Sequence, residues 1–268
     1  IDGDTLSVTQ YVVDGNTVTV DPVTGGTVAL TEGSLTINAD GSYEFVPALN
    51  FNGSVPQVTY SVFDGTVTVT TTLDITVDPV NDAPTVAPDT NSTNEDTTLT
   101  VDAASGVLGN DSDIDGDTLS VTQYVVDGNT VTVDPVTGGT VALTEGSLTI
   151  NADGSYEFVP ALNFNGSVPQ ITYSVFDGTT TVTTTLDITV DPVNDAPTVA
   201  PDTNSTNEDT TLTVDAASGV LGNDSDIDGD TLSVTQYVVD GNTVTVDPVT
   251  GGTVALTEGS LTINADGS

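Results

Sequence analysis

Residues 1–113 return almost letter for letter as residues 114–226, and the same text begins a third time at Ile227. The first two copies differ only where Val58 becomes Ile171 and Val67 becomes Thr180, and all 42 residues of the third are identical. Near-identity over a period of 113 residues points to recent duplication in a gene that carries many copies. The best boundary is Asn-Asp-Ala-Pro, at Asn81–Pro84 and Asn194–Pro197, where Pro84 restricts Ala83 to extended conformations. This division gives a unit lacking its start (1–80), a whole unit (81–193) and a unit lacking its end (194–268). The partial units hold 80 and 75 residues and duplicate 42 positions, so a clean exchange of halves between chains does not fit. The 268 residues read as a window cut from a longer array. They open in mid-motif at Ile1-Asp2-Gly3-Asp4, so the lack of a visible signal peptide carries little weight.

Each unit reads as all-β. Val67 to Val77 alternates strictly, with Val67, Val69, Thr71, Leu73, Ile75 and Val77 on one face. Gln57–Phe63 is the expected antiparallel partner, with Asp64-Gly65 as the turn and Val58, Tyr60 and Val62 inward. Asp14-Gly15, Glu32-Gly33 and Asp40-Gly41 are further hairpin signals, the last joining Leu35–Ile37 to Tyr43–Phe45. Thr97–Val101 supplies an early strand, and Val107-Leu108 a short apolar turn. Tyr43, Phe45, Phe51 and Tyr60 are expected in or near the core. Seven to nine short strands with no long helix predict tandem Ig-like β-sandwiches.

Charge narrows what such a chain can do. It has 40 acidic residues and no Lys, Arg or His, a formal charge of −40. Self-repulsion of that size opposes compaction unless the solvent supplies cations. Nucleic acid and anionic membrane surfaces are excluded as partners for the same reason. A hydrophobic fraction of 36% in a regular pattern argues against disorder. Cysteine is absent, which removes disulfides and thiol chemistry. No apolar run approaches the roughly 18 residues that span a bilayer. Paired carboxylates serve glycosidases, but the pattern offers no cleft and no Trp platform, so no enzyme is expected. The exposed threonines Thr68, Thr70, Thr72 and Thr76 are ordinary β-formers on a solvated strand. Asp14, Asp40, Glu44, Asp64 and Asp74 read as solvated turn or face residues.

Residues 110–119, NDSDIDGDTL, place Asp111, Asp113, Asp115 and Asp117 at every second position. Asp-x-Asp-x-Asp-Gly is the first half of an EF-hand loop, but the twelfth position is Thr122 rather than Glu. An acidic turn would explain one or two aspartates. It explains four poorly, since like charges so spaced repel and no Lys or Arg relieves them. A divalent cation is the natural partner, and hard oxygen ligands without His or Cys select calcium.

Several motifs occur together in order: Val80-Asn-Asp-Ala-Pro84, Asn94-Glu-Asp-Thr97, Leu108 to Leu119, Asn151 to Phe158, Asn163-Phe-Asn-Gly166 and Tyr173 to Gly178. In this the chain resembles the bacterial cadherin-like, VCBS-type extender repeats of large RTX adhesins. The resemblance implies tandem sandwiches in a bacterial surface or secreted protein exported by type I secretion, with calcium at the domain ends. It assigns Asp78, Asn81 and Asp82 to the linker site, Glu95 and Asp96 to an early acidic site, and Asp111, Asp113 and Asp115, with Asp117 beside them, to an Asp-x-Asp loop. The repeated copies are Asp191, Asn194, Asp195, Glu208, Asp209, Asp224, Asp226, Asp228 and Asp230. The middle Leu-Asp-Arg-Glu motif of cadherins is absent.

The expectation is a calcium-rigidified spacer on the bacterial cell surface that projects a distal binding domain for adhesion or biofilm formation. Its partners are the neighbouring repeats, while a host cell, glycan or surface is bound by domains outside these residues. The rivals are repeats that themselves bind glycans or cells, and subunits of a self-assembling extracellular filament.

Overall fold

A computed structural model of the chain describes residues 5–268. The central repeat is a two-sheet sandwich of ten strand segments. One sheet runs in the order Asp89–Asn94, Thr181–Asp191, Ile171–Phe176, Ser120–Val126, Asn129–Thr132, with Gly166–Ser167 also on Thr181–Asp191. The other runs Leu99–Val101, Tyr156–Pro160, Gly146–Ile150, Gly139–Leu143. Every pairing is antiparallel except that of Asp89–Asn94 with Thr181–Asp191, which is parallel, from Asp89 opposite Leu186 to Asn94 opposite Asp191.

The period-two pattern explains why these strands face each other. Leu186, Ile188 and Val190 are buried while Asp187 and Thr189 are exposed. They meet Leu148, Ile150, Phe158, Ile171 and Tyr173 in one core. Each such side chain contributes about 1.5–3 kcal/mol when fully buried. Tyr124 spans the two sheets: its hydroxyl is close to the carbonyls of Gly139 (2.9 Å) and Leu148 (3.2 Å) on the opposite sheet. Burial pushes its phenol up to about 12.

The first repeat keeps most of this plan but not all. Its sheets are Asn16–Thr19, Ser7–Val13, Val58–Phe63, Thr68–Leu73 and Gly26–Leu30, Gly33–Ile37, Tyr43–Pro47. The expected strand over 67–77 is broken into Thr68–Leu73 and Thr76–Val77, and Val67 and Val69, expected inward, are exposed. In the central repeat the same stretch is held straight by its parallel partner Asp89–Asn94. Tyr43, expected in the core, is also exposed, because the central counterpart Tyr156 is covered by Leu99–Val101.

The third repeat forms the hairpins Gln236–Val239 with Asn242–Thr245 and Gly252–Leu256 with Gly259–Ile263. Residues 202–207 and 212–214, identical in sequence to strands Asp89–Asn94 and Leu99–Val101, form no strand. The one helix among the described residues is the three-residue 3-10 turn Ala216–Ser218, and none is long and apolar enough to cross a membrane.

Candidate metal centre

The aspartate loop is built by its own backbone. Asp113 Oδ1 accepts the amide of Asp115 at 2.8 Å and that of Asp117 at 3.4 Å, and Gly116 takes the left-handed φ of +80° that the turn demands. This folding brings ligand oxygens of Asp113, Asp115 and Asp117 within 4.8 Å of one another, and the same holds for Asp226, Asp228 and Asp230.

Asp111 is not in this group. Thr85 and Ser112 form a two-bond bridge of 2.8 and 3.0 Å, and next to it Asp111 Oδ1 turns to accept the amide of Ala87 at 2.9 Å. The single four-aspartate loop expected from spacing is therefore a triad plus one inward carboxylate. Burial, reinforced by the charge of Asp89, holds Asp111 above the usual carboxylate range. Asp89 is itself raised by burial, and its Oδ2 lies 2.5 Å from the Tyr173 hydroxyl, which also reaches the carbonyl of Val107 at 2.7 Å. Asp224 repeats the Asp111 contact, accepting the amide of Ala200 at 2.8 Å.

The linker is tied to the loop that follows it. The amide of Asp82 donates to Asp115 Oδ2, and that of Asp195 to Asp228 Oδ2, both at 2.7 Å. Asp78, Asp82 and Asp115 line one cleft of about 270 Å³ with Asn50 and Asn52 of the first repeat. Asn194, Asp195, Asp224, Asp226 and Asp230 line another of about 290 Å³.

The second junction also has its early acidic residues. Glu95 is buried: its Oε1 accepts the amide of Val193, its Oε2 the amide group of Asn165 at 3.4 Å, and its own N–H donates to the Asp191 carbonyl at 2.9 Å. Asp191 thus contributes its backbone here, with its side chain exposed. Asp96, at a left-handed φ of +56°, accepts the amide of Asn163 at 3.0 Å. Glu208 and Asp209, the later copies, are exposed by contrast. Burial first, then the charges of Asp228, Asp96, Glu95 and Asp226, hold the Asp195 carboxyl above the usual range. Carboxylates from two repeats converge on this one side chain.

Three carboxylate oxygens, Asp111 Oδ2, Asp113 Oδ2 and Asp195 Oδ2, have neither solvent access nor a hydrogen-bond partner. An orphaned buried oxygen costs about 1–3 kcal/mol, more when charged. With no side-chain cation in the sequence, an external cation is the partner that fits these oxygens.

One residue escaped the sequence reading. The Asp-Gly pair at Asp177-Gly178, like Asp64-Gly65 before it, looks like a solvated turn. Asp177 is instead buried, and its Oδ2 accepts the Asn81 side-chain amide at 3.1 Å, clamping the linker to the central sandwich. The backbone N–H of Thr180 first, with help from Asn81 and Thr179, holds Asp177 below the usual range. In the first repeat Asp64 is half-buried. The adjacency of Asn81 and Asp177, 96 residues apart, has no signal in a single sequence.

A profile described as bacterial cadherin-like domain matches residues 81–192, and one described as cadherin-like domain matches residues 1–78 and 193–268. The chain belongs to the cadherin-like domain family. Cadherin-like domains generally bind calcium, are extracellular and are typically not catalytic. Among solved structures the cadherin-like chain is similar to human protocadherin-24 EC1-2 (18% identity, 72% of this chain and 84% of that one, TM-score 0.40). It is also similar to the endo-fucoidan hydrolase MfFcnA4 of glycoside hydrolase family 107 (20% identity, 72% and 24%, TM-score 0.24). The chain spans about a quarter of that hydrolase, and at such scores neither likeness bears on function. No curated protein sequence matches the chain.

Proposed function

We propose that this cadherin-like chain is a stretch of calcium-stiffened spacer from a large bacterial surface adhesin, holding a distal binding domain away from the cell. The observation that carries the reading is the Asp195 carboxylate. Its Oδ2 is buried and unpartnered, and the charges of Glu95 and Asp96 on one side and Asp226 and Asp228 on the other all bear on it. Calcium, when bound, supplies the positive charge that lets these carboxylates sit together. Glu95, Asp96, Asp195, Asp226 and Asp228 are the residues that would hold it at the second junction; Asp82, Asp113, Asp115 and Asp117 would do so at the first. Without it, like charges push the two sides of each linker apart and the linker hinges. Asn81 and Asp177 fix the linker to the sandwich it enters, so the hinge is confined to the few residues before it. Export by type I secretion and a role in biofilms are further parts of this reading, supported by the motif resemblance. Extracellular modules of this kind bind calcium with dissociation constants of about 0.1–1 mM.

Small-angle scattering of the chain in EDTA and in about 5 mM calcium, several-fold above that range, tests the spacer. The maximum dimension is expected to increase and its distribution to narrow when calcium is added. An unchanged profile, with no calcium found by mass spectrometry under native conditions, overturns it.

A further inference from the structure

The first two repeats differ at two positions, and the fold gives those positions opposite settings. Val58 and its counterpart Ile171 are both fully buried, so that exchange swaps one core side chain for another. Thr180 stands where the first repeat has Val67, and it meets the linker. The Asn81 side-chain amide, which donates to Asp177 Oδ2 at 3.1 Å, also reaches the Thr180 hydroxyl at 3.3 Å and the Asp82 carbonyl at 2.7 Å.

The turn that carries Thr180 does not need its hydroxyl. Asp177 Oδ1 accepts the backbone amides of Thr179 and Thr180, both at 2.6 Å, and the Asp177 amide donates to the Thr180 carbonyl at 3.2 Å. In the first repeat Asp64 Oδ1 accepts the amides of Thr66 and Val67 at 2.7 and 2.6 Å, and the Asp64 amide donates to the Val67 carbonyl at 3.2 Å. The same turn therefore forms around either residue. Thr and Val differ little in shape and by one hydroxyl in chemistry. Asp177 Oδ1 is spent on the turn, so Oδ2 and the Thr180 hydroxyl are what hold the Asn81 amide to the sandwich. With valine at this position, Oδ2 holds it alone.

We propose that residue 180 sets how firmly the linker is clamped to the sandwich it enters, threonine making a tight joint and valine a slack one. Repeats that are otherwise interchangeable then differ in the stiffness of their joints. When the clamp opens, Asn81 joins the hinge, and the sandwiches on either side sample a wider range of angles. The clamp itself uses no metal, while its purpose rests on the spacer reading above.

Spin labels test this, because the chain has no cysteine to compete with them. Glu44→Cys with Glu157→Cys places one label on each sandwich, at equivalent exposed strand positions. The distance distribution between the labels is read in EDTA by pulsed electron paramagnetic resonance. Thr180→Val should broaden it, with the unclamped fraction up about two- to tenfold, and Thr180→Ser should keep the original width. On an Asn81→Ala background Thr180→Val should add nothing, whereas a residue acting only on its own turn would add the same amount there. The melting transition of the central sandwich, expected to be unchanged in Thr180→Val, is the folding control. An unchanged width in Thr180→Val, or a broadening that persists without Asn81, overturns the inference. The spacer reading is judged separately: if calcium leaves the width of the unsubstituted chain unchanged, that reading falls and the clamp stands.

Discussion

The backbone N–H of Asp195 donates to Asp228 Oδ2 at 2.7 Å, so the linker residue that opens the third repeat is registered against the aspartate loop of that same repeat. The Asp195 side chain meanwhile sits among carboxylates that raise its proton affinity. These two roles separate on substitution. Asp195→Asn keeps the backbone bond and removes one repelling charge. In EDTA its melting temperature should rise by about 1–3 °C. Its calcium affinity by titration calorimetry should fall about tenfold, equivalent to about 1.4 kcal/mol.

Acid should stabilise the calcium-free chain before it destabilises it. Asp89, Asp111 and Asp195 have raised folded-state values, so the folded state binds more protons than the unfolded state just above the usual carboxylate range. Stability therefore falls as pH rises through that window. Asp64, Asp134, Asp153 and Asp177 have lowered values, and their contribution is lost only as pH falls below the ordinary carboxylate value of about 3.9. The melting temperature in EDTA should rise from about pH 7 to about pH 5 and drop below about pH 3.5. Calorimetric scans across that range check it; a monotonic fall from pH 7 downward contradicts the assignment.

Tyr124→Phe removes the hydroxyl between the Gly139 and Leu148 carbonyls. The expected cost to the central sandwich is about 1–2 kcal/mol by denaturant unfolding. Tyr237→Phe, at the identical but partly solvated position, should cost less than half as much, because water takes over the freed carbonyls.

Gly154→Ala and Gly41→Ala change identical residues in identical turns, at φ +84° and +86°. Both incur the left-handed strain of about 1–2 kcal/mol per residue. Only Gly154→Ala also drives a methyl into Leu108, adding about 1–3 kcal/mol. Differential scanning of the two variants should show the central transition lowered more.

What could be read from the letters, and what could not, follows period and distance. Leu186, Ile188 and Val190 alternate with polar residues, so that strand was legible. Asp89–Asn94, Asp-Thr-Asn-Ser-Thr-Asn, has no apolar residue and passes for a loop, yet it pairs along its whole length because its backbone completes a sheet edge. The aspartate triad was legible from spacing, but the departure of Asp111 was not, since the bridge between Thr85 and Ser112 sets it. Glu95 was legible as an acidic site, whereas its burial depends on Val193, 98 residues away.

The parallel pairing of Asp89–Asn94 with Thr181–Asp191 joins the first strand of the central sandwich to its last. A pull applied at the two ends of that sandwich acts along both strands in opposite directions. The six rungs then bear the load side by side in shear instead of peeling open one after another. A tether built from such units resists flow until a whole ladder gives way at once.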